Sequence, residues 1–211
     1  MQKILAAFAL MLATMAMISS VTAQEAYVPG VHYEIIDEPV ATEDPEKIEV
    51  TEVFWYGCGH CFHFEPLIQK WKKTLADDVN FVASPAIWNK PMEVHAKAFY
   101  TAKALDKLDE IHQPLFDALN VDGKKLVSEK ALAKFFADFG IDQETFDRTY
   151  NSFSISSLAK KANDKARKYG VQGTPELIVD GKYRVTGRLA GSQENMIKVA
   201  DFLVNKVRNQ Q

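Results

Sequence analysis

The sequence predicts an α/β protein whose sheet is interrupted by a block of helices. Segments that are rich in β-branched and apolar residues occur at 48–56 and 79–83, and similar segments return after residue 170. The stretch 91–169 has helical periodicity and no convincing strand. Strands that are joined through helices indicate an α/β sheet. We therefore expect the helical block to be an insertion that packs beside the sheet.

The composition is that of a globular protein without a nucleic-acid partner. The chain has 211 residues, of which 47% are hydrophobic, and its formal net charge is −3. This apolar fraction supplies a core. The slightly negative charge offers no basic surface for nucleic acid.

The first 23 residues have the layout of a cleaved signal peptide. Lys3 precedes the apolar run 4–18, in which Thr14 is the only polar residue, and small residues follow as far as Ala23. The alternative is a membrane anchor. The 15 residues of the run would span only ~22 Å as a helix, against ~30 Å of hydrocarbon. We therefore expect export and removal of residues 1–23.

The first half of the mature chain predicts three strands and one helix. The strands cover residues 32–36, 48–56 and 79–83. Helical spacing of apolar residues begins at Cys61 and continues to Leu75, and Pro66 inside this segment is expected to kink the helix. Both cysteines thus lie where a central strand ends and a helix begins.

The second half predicts the helical block and then the remainder of the sheet. The expected helices of the block cover residues 92–105, 112–119, 129–139, 143–151 and 158–169. Ser128 and Asp142 are suitable N-caps for two of them. Strands at 176–179 and 182–186 flank Asp180-Gly181, a strong hairpin signal. Ser192 then caps a last amphipathic helix.

The only two cysteines, Cys58 and Cys61, allow three interpretations. A zinc site would need four ligands, and His60 and His63 lie too close in sequence to complete a tetrahedron with this pair. A structural disulfide would close a very small loop, in which a cross-link stabilises little. The third interpretation, a pair that forms and breaks a disulfide, fits the position best.

A helix N-terminus suits a redox-active cysteine. Its first turn has unpaired amides and a partial positive charge. We expect the amides of His60 and Cys61 to stabilise a thiolate at Cys58, and a protonated His60 would add to this effect. Cys61, one turn deeper, is expected to be shielded. One acidic, accessible thiol beside a resolving thiol is what disulfide exchange requires.

Glu52 has two interpretations. It lies six residues before Cys58 in the predicted central strand. It is either a carboxylate at the edge or end of the strand, or a buried acid with a raised pKa that exchanges a proton with Cys61. Its apolar neighbours favour burial.

These residues resemble the thioredoxin superfamily, and within it the DsbA-type periplasmic thiol:disulfide oxidoreductases. The resemblance covers essentially the whole mature chain. It rests on the segments EVFWYGCGHCFHFEP and YGVQGTPELIVDGKYRV, on Pro66 and on the helical insertion. It implies a thioredoxin fold with an inserted all-helical domain. The implied domains are 24–88 and 167–211 for the two parts of the thioredoxin-like domain and 89–166 for the insertion.

The resemblance also implies a function. The protein would be a periplasmic dithiol oxidase that transfers its Cys58–Cys61 disulfide through a mixed disulfide at Cys58. Its partners would be unfolded secreted proteins with free cysteines and a DsbB-type membrane oxidase linked to quinone. Thr174-Pro175 would be a cis peptide that offers its backbone to the substrate. We expect a monomer that needs no metal and no organic cofactor.

Three positions depart from the family pattern. Gly59 stands where many of these oxidases have proline, Thr174 stands where many have valine, and Ala83 stands near the buried acid where some have lysine. These departures leave open a disulfide isomerase or reductase of the same fold. A non-catalytic, chaperone-like binding module is the alternative from another class.

Overall fold

One five-stranded sheet forms the centre of the molecule. The computed structural model describes residues 26–210, so the predicted signal peptide lies outside the described residues. The strands are β1 (Glu34–Ile35), β2 (Ile48–Phe54), β3 (Val79–Pro85), β4 (Glu176–Val179) and β5 (Tyr183–Thr186). Their order is β1-β5-β4-β2-β3. Strands β2 and β3 are parallel, and the other neighbouring pairs are antiparallel.

Eight helices accompany the sheet in the described residues. They are α1 (Gly59–Lys72), α2 (Lys90–Ala104), α3 (Leu108–Asn120), α4 (Glu129–Ala137), α5 (Gln143–Tyr150), α6 (Phe153–Lys168), α7 (Gly187–Ala190) and α8 (Gln193–Arg208). Helices α2 to α6 all lie between β3 and β4 in the chain, which confirms the predicted α/β class with a helical insertion. The domain boundaries 24–88, 89–166 and 167–211 stay a prediction.

Strand β2 is buried on both faces. All seven of its residues are buried, as expected for an apolar central strand. Val50 packs with Ile68 of α1 and Leu203 of α8 in one core cluster. Val53 packs with Met92 of α2 in a second cluster on the opposite face. A polar side chain in this strand, such as Glu52, is therefore removed from solvent.

A third core cluster joins the cysteine pair to the helical block. It contains Phe54 at the end of β2 and Cys61 in α1, together with Phe99, Phe116 and many other residues of the insertion. The start of α1 thus packs directly on the inserted helices. The insertion is part of the surroundings of the cysteines as well as an addition to the fold.

The main differences from the predicted elements concern helix starts. Helix α3 begins four residues before the predicted residue 112, with Asp109 and Glu110 in its first turn, where negative charge is favourable. Helix α6 begins at Phe153 because the side chain of Ser152 caps it. The four-residue helix α7 was not predicted. The predicted strand 32–36 is shorter, at Glu34–Ile35.

Candidate active site

Cys58 is the N-cap residue of α1. Its backbone is extended, with φ −95° and ψ 113°, and its side chain accepts a hydrogen bond from the amide of Cys61 at 3.4 Å. An oxygen of serine, threonine or aspartate commonly has this position. Here a sulfur atom faces the first-turn amides, which no carbonyl of the helix can satisfy.

These contacts make Cys58 acidic for a thiol. A hydrogen bond from the side chain of Cys61 has the largest effect, and partial burial opposes it. The side chain of Thr174 and the amides of Cys61 and His60 add to the first effect, and together they lower the pKa of Cys58 to about 5. In the dithiol form Cys58 is therefore a thiolate at neutral pH.

Cys61 is the opposite case. It is fully buried, and burial is the main reason why its pKa lies far above the usual value. Its hydrogen bond to Cys58 and the charges of Cys58 and Glu52 act in the same direction. Neither cysteine is in a disulfide in this structure. The pair thus combines one ionised, half-buried sulfur with one protonated, buried sulfur.

The segment before β4 faces the cysteine pair. The Thr174–Pro175 peptide bond is cis, which confirms the expectation from the resemblance. The carbonyl oxygen of Thr174 lies 3.3 Å from Cys58 Sγ and accepts its hydrogen bond when the thiol is protonated. A backbone that approaches the reactive sulfur this closely can also meet a peptide bound there.

A groove runs along the surface beside Cys58. Its volume is about 560 Å³. Its lining includes His60, Thr174, Pro175, Arg188, Gln193 and Met196. His60 is exposed at this groove, and its carbonyl oxygen accepts a hydrogen bond of 2.7 Å from Gln193 Nε2. Helix α8 thereby fixes the first turn of α1.

Glu52 is a buried acid, as its apolar neighbours indicated. Only 2% of it is exposed, and Oε1 has no hydrogen-bond partner among the described residues. Burial and then the charge of Glu65 raise its pKa well above the usual value, and Lys72 opposes them. Glu52 pairs with Ala83 on β3, so the register confirms that alanine stands beside the acid.

Three polar side chains near Glu52 were not predicted from the sequence. Glu65 of α1 is 2% exposed, and its Oε1 lies 3.4 Å from Nε2 of His112 on α3. His112 Nδ1 lies 2.6 Å from the hydroxyl of Tyr56. Glu65 could have been found, since it follows Cys61 by four residues and therefore shares its helix face. Nothing local to His112 indicated that it belongs here.

Residues 26–210 contain neither a metal-binding cluster nor a helix that could span a membrane. No group of three or more His, Cys, Asp or Glu side chains in this range is arranged to hold a metal ion. Over the same range, no helix has both the length and the apolar character that crossing a bilayer requires.

A family model described as a DSBA-like thioredoxin domain matches residues 68–196. The chain belongs to the DsbA-like thioredoxin family. The thiol:disulfide interchange protein DsbA of Pseudomonas aeruginosa is 39% identical over 198 residues, which cover 94% of each protein.

Solved structures agree with this assignment. The crystal structure of Pseudomonas aeruginosa DsbA matches with a TM-score of 0.84 and 40% identity, over 87% of this chain and 96% of that one. The oxidoreductase DsbA of Xylella fastidiosa gives a TM-score of 0.81 and 31% identity, over 87% and 98%. The predicted thioredoxin fold with a helical insertion is thereby confirmed.

Proposed function

We propose that this member of the DsbA-like family is a dithiol oxidase that transfers a Cys58–Cys61 disulfide to exported proteins with free cysteines. One observation carries the proposal: a half-buried sulfur at the start of α1 lies beside a fully buried one. The accessible sulfur can be attacked and can leave as a thiolate, and the buried sulfur can reclose the disulfide.

Transfer takes place in two exchanges. A substrate thiolate attacks Cys58 Sγ, the Cys58–Cys61 bond breaks, and Cys61 takes the electron pair and a proton. The second substrate thiol then loses its proton and attacks the substrate sulfur of the mixed disulfide, and Cys58 leaves as a thiolate. The substrate dithiol has lost two electrons, and the protein disulfide has gained them.

The other predicted site residues have supporting roles in this proposal. Glu52 donates the proton that Cys61 needs, since burial raises the pKa of Glu52 and thereby favours its protonated form. The amide of His60 stabilises the Cys58 thiolate. Thr174 and Pro175 line the groove beside Cys58 and present backbone to the substrate.

The acidity of Cys58 favours an oxidase over an isomerase or reductase. A thiolate that is stabilised in the folded protein stabilises the reduced form, so the disulfide is a better oxidant. Each unit by which this pKa lies below the working pH contributes ~1.4 kcal/mol, or ~30 mV for a two-electron couple. The pKa of Cys58, about 5, lies below neutral pH, so this stabilisation of the reduced form applies at neutral pH.

Repeated turnover needs an electron acceptor, because the protein leaves each transfer in the reduced form. We propose that a DsbB-type membrane oxidase linked to quinone accepts these electrons. The proposed location is the periplasm, where such a partner and unfolded exported proteins meet, and the proposed state is a monomer.

The oxidation of reduced ribonuclease by the oxidised protein tests the proposal. We expect the wild type to form disulfides in stoichiometric amounts and Cys58→Ser to form none. Cys61→Ser is the matched variant: it also lacks the disulfide, but its Cys58 should be trapped as a stable mixed disulfide with an oxidised substrate. Equal oxidation by wild type and C58S would remove the catalytic role.

Equilibration with glutathione then separates the oxidase from its alternatives. An oxidase should remain largely reduced in glutathione mixtures that oxidise a thioredoxin. A couple as reducing as that of a thioredoxin would replace the oxidase with a reductase.

A further inference from the structure

A separate cavity lies beside Glu52 and shares no lining residue with the groove beside Cys58. Its volume is about 280 Å³. Its polar lining comes mainly from α1 and α3 and includes Glu65, Lys72, Asp109, His112 and Gln113. The exchange mechanism uses Glu52 and leaves the other ionisable groups without a role.

Glu65 is a buried carboxylate that nevertheless stays ionised. Burial raises its pKa, but the hydrogen bond and charge of His112, together with Gln69 and Lys72, lower it below the usual value. His112 Nε2 and Gln69 Nε2 both approach the same oxygen, Oε1. His112 makes the largest of the contributions that keep Glu65 charged.

The ring of His112 is held in one orientation. Its Nδ1 lies 2.6 Å from the Tyr56 hydroxyl, and Phe54 and Phe116 pack against the ring at centroid distances of 5.5 and 5.2 Å. A carboxylate only accepts hydrogen bonds, so Nε2 carries the proton that faces Glu65. When the ring is neutral, Nδ1 accepts a hydrogen bond from the Tyr56 hydroxyl. The raised pKa of Tyr56 keeps that hydroxyl protonated.

Few basic side chains face Glu52 and Glu65 from the surrounding strands and helices. Glu52 comes from strand β2, and Tyr56 lies two residues beyond its end. Helix α1 contributes Cys61, Glu65 and Lys72, and α3 contributes Asp109 and His112. Strand β3 and helix α2 present only Phe81, Ala83 and Phe99 to this cavity. Lys72 and His112 are therefore the basic side chains in the described lining.

We propose that His112 is a positioning residue for the proton transfer: by holding Glu65 ionised, it keeps the exchangeable proton on Glu52. The negative charge of Glu65 opposes ionisation of Glu52, so the proton remains where Cys61 needs it. His112 thereby acts on Glu52 from helix α3 of the insertion, whereas the β3 residue that pairs with Glu52 is the uncharged Ala83. This inference rests on the proposed function and deepens it.

Removal of His112 has a definite expected consequence. A buried Glu65 without its partner takes up a proton, and its repulsion of Glu52 disappears. Glu52 then loses its proton at a lower pH than in the wild type. Exchange should be unchanged in acidic solution, and its decline with rising pH should begin at a lower pH than in the wild type.

The test is the pH profile of peptide-dithiol oxidation by the oxidised protein. His112→Phe keeps the aromatic packing and should show this earlier decline of exchange with rising pH. Glu65→Gln should show the same change, and H112F should add nothing in the E65Q background. His32→Phe is the control, because His32 contacts Tyr27 and the amide of Val28 instead. The control should follow the wild type.

The outcomes separate this inference from the proposed function. A wild type that oxidises the peptide, with an H112F profile that superimposes on it, overturns the role of His112 alone. A change that persists in the E65Q background also overturns it. An inactive wild type removes the proposed function.

If H112F does not fold, His112→Gln replaces it in the same set of single and double variants. Its amide keeps a donor without a charge, so a smaller change of the same sign is expected, and no change contradicts the inference.

Discussion

Cys58 combines two roles that usually belong to different residues, a helix cap and a reactive group. Its sulfur accepts the Cys61 amide at 3.4 Å, as a cap must, and the same contact stabilises the thiolate. The side chain of Cys61 contributes more to this stabilisation than the amides do. The buried cysteine therefore also controls the acidity of Cys58.

Substitution of Cys61 tests this control. Cys61→Ala keeps the amide but removes the side-chain donor, so the pKa of Cys58 should rise by about one unit or more. Cys61→Ser keeps a hydroxyl donor and should raise this pKa less. The thiolate absorbance in the ultraviolet measures both midpoints. Midpoints equal to that of the wild type in both variants would show that the Cys61 side chain does not determine this acidity.

The parts of the site that could be predicted from the sequence are those with a local signal in residue type and spacing. Cys58 and Cys61 are the only cysteines, and they fall at a strand-to-helix junction, so their role could be argued from position. The burial of Glu52 could be predicted from its apolar neighbours in the central strand. His112 could not, because its link to Glu65 depends on how α3 of the insertion packs against α1. Long-range packing of this kind has no local sequence signal.

At the level of elements, the start of α1 departs most clearly from the family pattern. Gly59 is the first helical residue, and a Cβ built there meets nothing within 4 Å. Proline is favoured at this position, since its fixed φ suits the helix and the missing amide has no partner within the helix. The extended backbone of Cys58 also suits a residue that precedes proline.

Gly59→Pro should therefore stabilise the protein. We expect the free energy of unfolding to rise by about 0.4–1 kcal/mol, because proline restricts the unfolded chain. Gly57→Ala is the contrasting variant, since its Cβ would lie 2.5 Å from the Trp55 ring, and it should destabilise. Urea denaturation of the oxidised forms measures both changes. A loss of stability in G59P would mean that the first turn needs the freedom of glycine.

Helix α3 shows why the existence of an element was easier to predict than its start. Pro114 favours a start close to residue 112, which would place it in the first turn. Helix α3 instead begins at Leu108, so Pro114 lies inside the helix. Ile111 and Leu115 are both fully buried, one turn apart, in the core of the insertion. The burial of this face outweighs the local preference of proline.

At the scale of the whole molecule, a buried polar network joins the sheet to the insertion. Glu49 of β2 is 1% exposed and accepts hydrogen bonds from the Thr51 hydroxyl at 2.9 Å and the Glu43 amide at 2.7 Å. Lys165 of α6 lies 3.3 Å from the same carboxylate and is itself 15% exposed. The charge of Glu49 is thus balanced by a residue from the other part of the fold.

Lys165→Met tests whether this pair holds the two parts together. Loss of the lysine leaves a buried carboxylate with two neutral donors, so we expect a loss of about 2–3 kcal/mol in the free energy of unfolding. Lys160→Met is the matched control on the same helix: Lys160 and its partner Asp164 are 78% and 49% exposed, and this exposed pair should contribute little. Glu49→Gln combined with K165M should recover part of the loss, because no unpaired charge remains.

Urea denaturation, followed by both fluorescence and circular dichroism, measures the free energy of unfolding of these variants. Equal effects of K165M and K160M would mean that apolar packing alone joins the insertion to the sheet.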